Sequence, residues 1–94
     1  MQTVPINESL IIANISKCRE LFSAALSGPD TETIFDLSDV DDCDSSGVQL
    51  LIAARKHAED RNTHVRFSSY SDAVLKAFGS VGINNVDEYF SSKE

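Results

Sequence analysis

Thr33-Ile34-Phe35-Asp36-Leu37-Ser38-Asp39-Val40-Asp41-Asp42-Cys43-Asp44-Ser45-Ser46-Gly47-Val48-Gln49-Leu50-Leu51 changes its periodicity midway. Thr33 to Ser38 is rich in β-formers, and Ile34, Phe35 and Leu37 make it apolar on much of both faces. That pattern predicts an interior strand. Val40 continues the buried track into an acidic, hydroxyl-rich loop. From Ser45 the repeat becomes helical. Val48, Leu51, Ile52, Arg55 and Ala58 lie on one stripe, widened by Leu50 and Ala54, with Gln49, Lys56, Glu59 and Asp60 mostly outside it. The spacing predicts a helix from Ser45 to about Arg61, with Asn62 at its exit. Helix N-termini favour negative charge, because their backbone N–H groups lack intrahelical partners and the helix dipole is positive there. A serine at this end is suited to carry a phosphoryl group. Asp44 and the serines are equally suited to cap the helix.

Working outward, Gln2 to Ile6 alternates weakly and contains Pro5, as an edge strand would. Ser9 to Ala13 is a short apolar run and predicts a second strand or the other half of a bent one. Asn14 then caps a helix over about residues 15–27, with Ile15, Cys18, Phe22, Ala25 and Leu26 on one face and Gly28-Pro29 at its end. On the other side, Thr63 to Phe67 predicts a strand with Val65 and Phe67 inward. Ala73, Val74, Ala77 and Phe78 predict a short helix terminated by Gly79. Val86, Tyr89 and Phe90 pack as a last turn, and Ser91 to Glu94 is expected to fray. Strands alternating with helices predict an α/β fold, a small sheet covered by helices, in one domain over residues 1–94.

The chain has 94 residues, 41% of them hydrophobic, which suits one modest core. It contains no apolar run of about eighteen residues, so no membrane insertion is expected. Its start, Met1-Gln2-Thr3-Val4-Pro5, lacks the basic and apolar segments of a signal peptide, which predicts a cytoplasmic protein. Fifteen acidic against eight basic residues give a net charge of −7, which disfavours nucleic acid and anionic membranes as partners. Cys18 and Cys43 form no CxxC pair and are expected to be reduced thiols. The aspartates around Cys43 should raise its pKa.

The residues also limit the chemistry. Asp39, Asp41, Asp42 and Asp44 are dense, but a calcium loop starting at Asp39 fails where Cys43, Asp44 and Leu50 stand. Cys18, Cys43, His57 and His64 lack paired zinc-ligand spacing, so no metal is expected. Asp44-Ser45-Ser46-Gly47 lacks the first glycine of a nucleophile elbow. His57 lies roughly 18 Å down the helix from Ser45 at about 1.5 Å per residue, too far to act as its base. Gly28, Gly47, Gly79 and Gly82 are scattered, so no phosphate-cradling loop and no cofactor are predicted. The chain is expected not to be an enzyme. Ser45 as a modifiable group is what remains.

Together these residues resemble the STAS domain family, the fold of the bacterial anti-sigma factor antagonists. The resemblance runs from about Thr33 to Phe90. It rests on Phe35-Asp36-Leu37-Ser38-Asp39-Val40, then Asp44-Ser45-Ser46-Gly47-Val48-Gln49-Leu50-Leu51, then Ala53-Ala54-Arg55-Lys56, and on Ala73-Val74-Leu75 through Gly82-Ile83. It implies a small mixed β-sheet covered by helices. It also implies a binding module, monomeric when free, that is switched by a partner serine kinase and anti-sigma factor. Small stand-alone members in chemotaxis and two-component signalling look similar. The family's phosphorylated position falls on Ser45. Asp44, Ser46, Gly47, Val48 and Gln49 are then expected at the docking surface, with Asp44 capping and Gly47 admitting a partner or packing closely against the sheet. The alternative implied by the resemblance is a subunit of a phospholipid-transport ABC system that binds its ATPase without phosphorylation. The N-terminal part departs from the family pattern, because Leu10 to Asn14 has no glycine-containing turn.

Overall fold

The structure, a computed structural model, describes residues 1–91 of the chain. In chain order its elements are β1 (Gln2–Pro5), a 3-10 turn (Ile12–Asn14), α1 (Ile15–Leu26), β2 (Glu32–Asp36), α2 (Ser45–Asp60), β3 (His64–Ser68), α3 (Asp72–Ser80) and α4 (Val86–Ser91). The strands form one sheet in the order β1-β2-β3. The expected α/β architecture is present, with the described sheet wholly parallel rather than mixed. Each strand is joined to the next by a helix, which is the connection parallel pairing requires.

Register explains which side is covered. Gln2, Thr33 and Val65 align across the sheet, as do Val4, Phe35 and Phe67. These residues face the helices, and Thr33, Phe35, Val65 and Phe67 are buried. Thr3, Ile34 and Arg66 align on the opposite face, where Thr3 and Arg66 are exposed and Ile34 is half-buried. Right-handed crossovers between parallel strands in sequential order bring both α1 and α2 to the same face. The molecule is accordingly a slab, 19 Å in its thinnest extent against 33 and 28 Å in the others. The pattern of Thr33 to Ser38 predicts an interior strand that is apolar on much of both faces. β2 is indeed the central strand, but among the described residues no helix layer covers its second face, where Ile34 is half-buried.

A row of aromatic rings runs across the core. Phe22 of α1 stacks on Phe35 at 4.5 Å between centroids, Phe35 lies 6.1 Å from Phe67, and Phe67 lies 4.9 Å from Phe90. Phe78 of α3 meets Phe90 edge-on at 5.8 Å. Offset and edge-on ring pairs of this kind add to the stabilisation from burial alone. Among the described residues one charged side chain enters this interior. Arg55 is 7% exposed. It ion-pairs with Glu59 at 3.4 Å and lays its guanidinium over the Phe90 ring at 5.7 Å.

Helix ends mostly follow the expected chemistry. Asn62 leaves α2 with φ 58°, and Ser71 caps α3 through the Val74 amide at 3.3 Å. Gly79 does not terminate α3 but lies within it. The left-handed residue is Gly82 at φ 89°, in the turn that follows. Asn14 precedes α1 without capping it, because its side-chain amide donates to the Ser9 carbonyl at 3.3 Å. The strand expected over Ser9 to Ala13 is also corrected. Leu10 makes an isolated parallel bridge to Cys43, and the chain then turns. The expected fraying concerns residues 92–94, outside the described residues; Ser91 closes α4.

Candidate functional site

The loop from Leu37 to Asp44 leaves the C-terminal edge of the sheet, and α2 begins there. Two features hold the loop in place. Leu37 and Val40 are buried in the core, and the Asp36 carboxylate accepts from the Ser38 amide at 3.0 Å. The Ser38 contacts hold the Asp36 carboxyl below its usual range. Further on, the Leu10 amide donates to the Asp42 carbonyl at 2.8 Å, and the Asp44 amide donates to the Leu10 carbonyl at 3.0 Å. The N-terminal segment is thereby fastened to the start of α2.

Asp44 completes this junction with its side chain. Oδ1 accepts from the Ser46 amide at 2.9 Å and the Gly47 amide at 3.3 Å, which is N-capping. Oδ2 accepts from the Ile12 amide at 2.9 Å, on a segment 32 residues away in the chain. The Ile12 contact is the largest influence holding the Asp44 carboxyl below the usual range, with Gly47 and Ser46 adding to it. One carboxylate therefore caps a helix and ties it to the N-terminal segment. The capping half of this role was legible in the sequence. The bond to Ile12 was not, because nothing in a local pattern pairs residues so far apart.

Gly47 is buried at the same junction. A Cβ added there would lie 2.7 Å from Leu10 Cβ and 2.8 Å from Cys43 Sγ, and nearer still to the Leu10 carbonyl oxygen. That oxygen already accepts from the Asp44 amide, so moving it away would cost that hydrogen bond. Of the two roles left open for Gly47, close packing is the one observed, although the surface it meets is Leu10 rather than the sheet. Val48 is 2% exposed and belongs to the core. Gly47 and Val48, both expected at the docking surface, are thus buried in the free chain. Ser45 and Gln49 are exposed, and Asp44 and Ser46 are half-buried. These four present atoms to solvent at the helix end.

Three amides in the first turn of α2 are already used. Ser46 and Gly47 donate to the Asp44 side chain, and the Val48 amide donates to the Asp44 carbonyl at 3.1 Å. A group attached to Ser45 finds these donors taken. Asp42 is likewise turned to local use, its Oδ1 accepting from the Cys43 amide at 2.9 Å. Among the described residues no three metal-ligating side chains converge.

Cys43 is half-buried, and its thiol is pushed up to about 11, first by burial and then by Asp44 and Asp42. Cys18 is buried and its pKa is also raised, chiefly by burial. Both are free thiols. His57 lies in the last turn of α2, and His64 opens β3 at the opposite end of the sheet from Ser45. A cleft of about 520 Å³ lies at that far end, walled by the Arg55–Glu59 and Arg66–Glu32 ion pairs. Sequence reasoning passed over two residues beside Ser46. Ile12 is 67% exposed, and Arg19 lines the same groove. An apolar run gives no sign of which member faces outward.

A small parallel sheet, helices on one face and an exposed serine starting the helix after the central strand define a class of α/β module. A family model described as "Mlab, STAS domain" matches residues 2–88. The chain belongs to the STAS domain family, whose members are regulatory or binding modules that mediate protein–protein interaction. A search among curated proteins gave no match. Among the described residues, no helix is long and apolar enough to cross a membrane.

Proposed function

We propose that this STAS domain is a cytoplasmic, non-catalytic binding module whose partner is released when Ser45 is phosphorylated by a serine kinase. That kinase is an anti-sigma factor or a related chemotaxis or two-component protein. The observation that carries this reading is the position of Ser45. It is exposed at the first residue of α2, while Asp44 occupies the amides that would otherwise draw a phosphate inward. A phosphate adds about −1.5 to −2 charges near neutral pH. At Ser45 it stays on the outer surface, beside the carboxylates of Asp44 and Asp42. A partner seated on this end meets repulsion and a costly desolvation, so charge rather than refolding acts as the switch.

The test is an intact-mass measurement after incubation with cell lysate and ATP, beside pull-downs of the partner. Wild type is expected to gain one phosphate and Ser45→Ala none, while Ser45→Asp loses at least about tenfold in partner affinity. Equal incorporation into Ser45→Ala sinks the assignment. The same occupied amides favour a second reading, a constitutive subunit of a phospholipid-transport ABC system that docks on its ATPase without phosphorylation. It is supported if an ATPase co-purifies equally with wild type and Ser45→Asp.

A further inference from the structure

A furrow between α1 and α2 begins beside the Ser45 end. Its upper part, about 320 Å³, is lined by Ile12, Ile15, Arg19, Ser46 and Leu50 among others, and its lower part, about 190 Å³, reaches Leu26 and His57. Arg19, Leu50 and Ala53 line both parts, so the two are continuous. From Ser46 to His57 the furrow follows α2 for about 16 Å, or about three helical turns.

Three observations say what would fit there. The floor is apolar, with Phe22 and Leu50 buried beneath it, and Ile12 stands 67% exposed at its upper rim. Asp44 holds that rim in place through the Ile12 amide. Ala53, exposed midway along α2, puts only a methyl group into the furrow. Finally, Arg19 makes no ion pair among the described residues, whereas Lys17 pairs with Glu8 at 3.0 Å and Arg66 with Glu32 at 3.5 Å. A cation without a partner, in a mostly apolar furrow of a chain with net charge −7, is the complement of one acidic group in an apolar setting.

We propose that the α1/α2 furrow is a docking groove for an amphipathic helix of another protein, with apolar side chains at i, i+4 and i+7 and an acidic side chain midway that pairs with Arg19. Helices commonly seat their apolar stripe in such grooves. A three-turn segment matches the length available, and laying it between α1 and α2 extends the existing helix layer. The proposal rests on the reading of the Ser45 end as a docking end. It places that end at the mouth of the groove, so that a phosphate there repels the same acidic helix.

The probe is a lactam-stapled alanine-based helix of about four turns, with leucines along one stripe and a single central glutamate. Anisotropy is measured against the full chain, with amide chemical shifts mapping the site. The glutamate peptide is expected to shift residues of α1 and α2 along the furrow. Replacing its glutamate by lysine should weaken binding roughly tenfold, as an attraction becomes a repulsion. Arg19→Glu, an exposed position whose folding circular dichroism checks, should reverse that preference. Absence of binding, equal affinity for both peptides, or shifts confined to the open sheet face would each overturn the proposal. The two readings fail separately. If Ser45 takes phosphate and releases a partner while Arg19→Glu changes nothing, the groove is wrong and the switch stands. If the peptide obeys Arg19 while Ser45 is never modified, the switch is wrong and the groove stands.

Discussion

Gly47 shows how one missing side chain positions a functional end. The Leu10 carbonyl oxygen stands where a Cβ on Gly47 would be and accepts from the Asp44 amide, so the N-terminal segment and α2 leave no room for a side chain between them. Gly47→Ala is predicted to cost about 1–3 kcal/mol, the usual range for overpacking a well-packed site. The cost exceeds the slight gain in helix propensity that alanine brings, because the collision is with backbone rather than with a yielding side-chain tip. Chemical denaturation measures it. An unchanged midpoint would show that the Leu10 segment can move aside freely.

The start of α2 depends on Asp44 in two directions, along its own helix and across to Ile12. Asp44→Ala should therefore lower Tm by more than an ordinary cap deletion and should loosen the segment from Leu10 to Asn14, which hydrogen exchange would detect. The carboxyl is held below its usual range by the Ile12, Gly47 and Ser46 contacts, so the native state favours the ionised form. Its contribution is present above the unfolded carboxyl pKa, near 3.9, and is lost as pH falls through the lower native value. Asp44→Asn should therefore lower stability most above about pH 4 and flatten the fall below it, so that the two curves converge at the lowest pH. A wild-type curve and a variant curve that run parallel through this acid range would rule it out.

The row of rings links α1, β2, β3, α3 and α4, and Phe35, fully buried, is its centre. Phe35→Ala removes contacts to both neighbours and leaves a cavity, with an expected loss of about 3–5 kcal/mol. A small domain often has only about 5–15 kcal/mol of stability, so this variant should have a much lower urea midpoint. A loss below about 1 kcal/mol would mean the core repacks around the gap. The slab form has its own consequence. All covering helices share one face of the sheet, which leaves the groove between α1 and α2 on the outer side of the helix layer, where a partner can reach it.

Much of this protein was decided by local pattern. The switch from β-rich Thr33–Ser38 to the helical stripe after Ser45 placed β2 and α2 to within a residue or two, and Asp44 was legible as a cap. These features rest on neighbours a few residues apart, which periodicity and capping chemistry report directly. Leu10 and Ile12 read as a strand because an apolar run carries no sign of its partner. Their actual roles, a single bridge to Cys43 and an amide bound by Asp44, depend on contacts across more than thirty residues. The same distance separates Gly47 from the carbonyl that excludes its side chain. Burial of Val48, the groove at Arg19 and the uncovered sheet face likewise arise only when the elements pack, because exposure belongs to the assembled layers and not to any one stretch of chain.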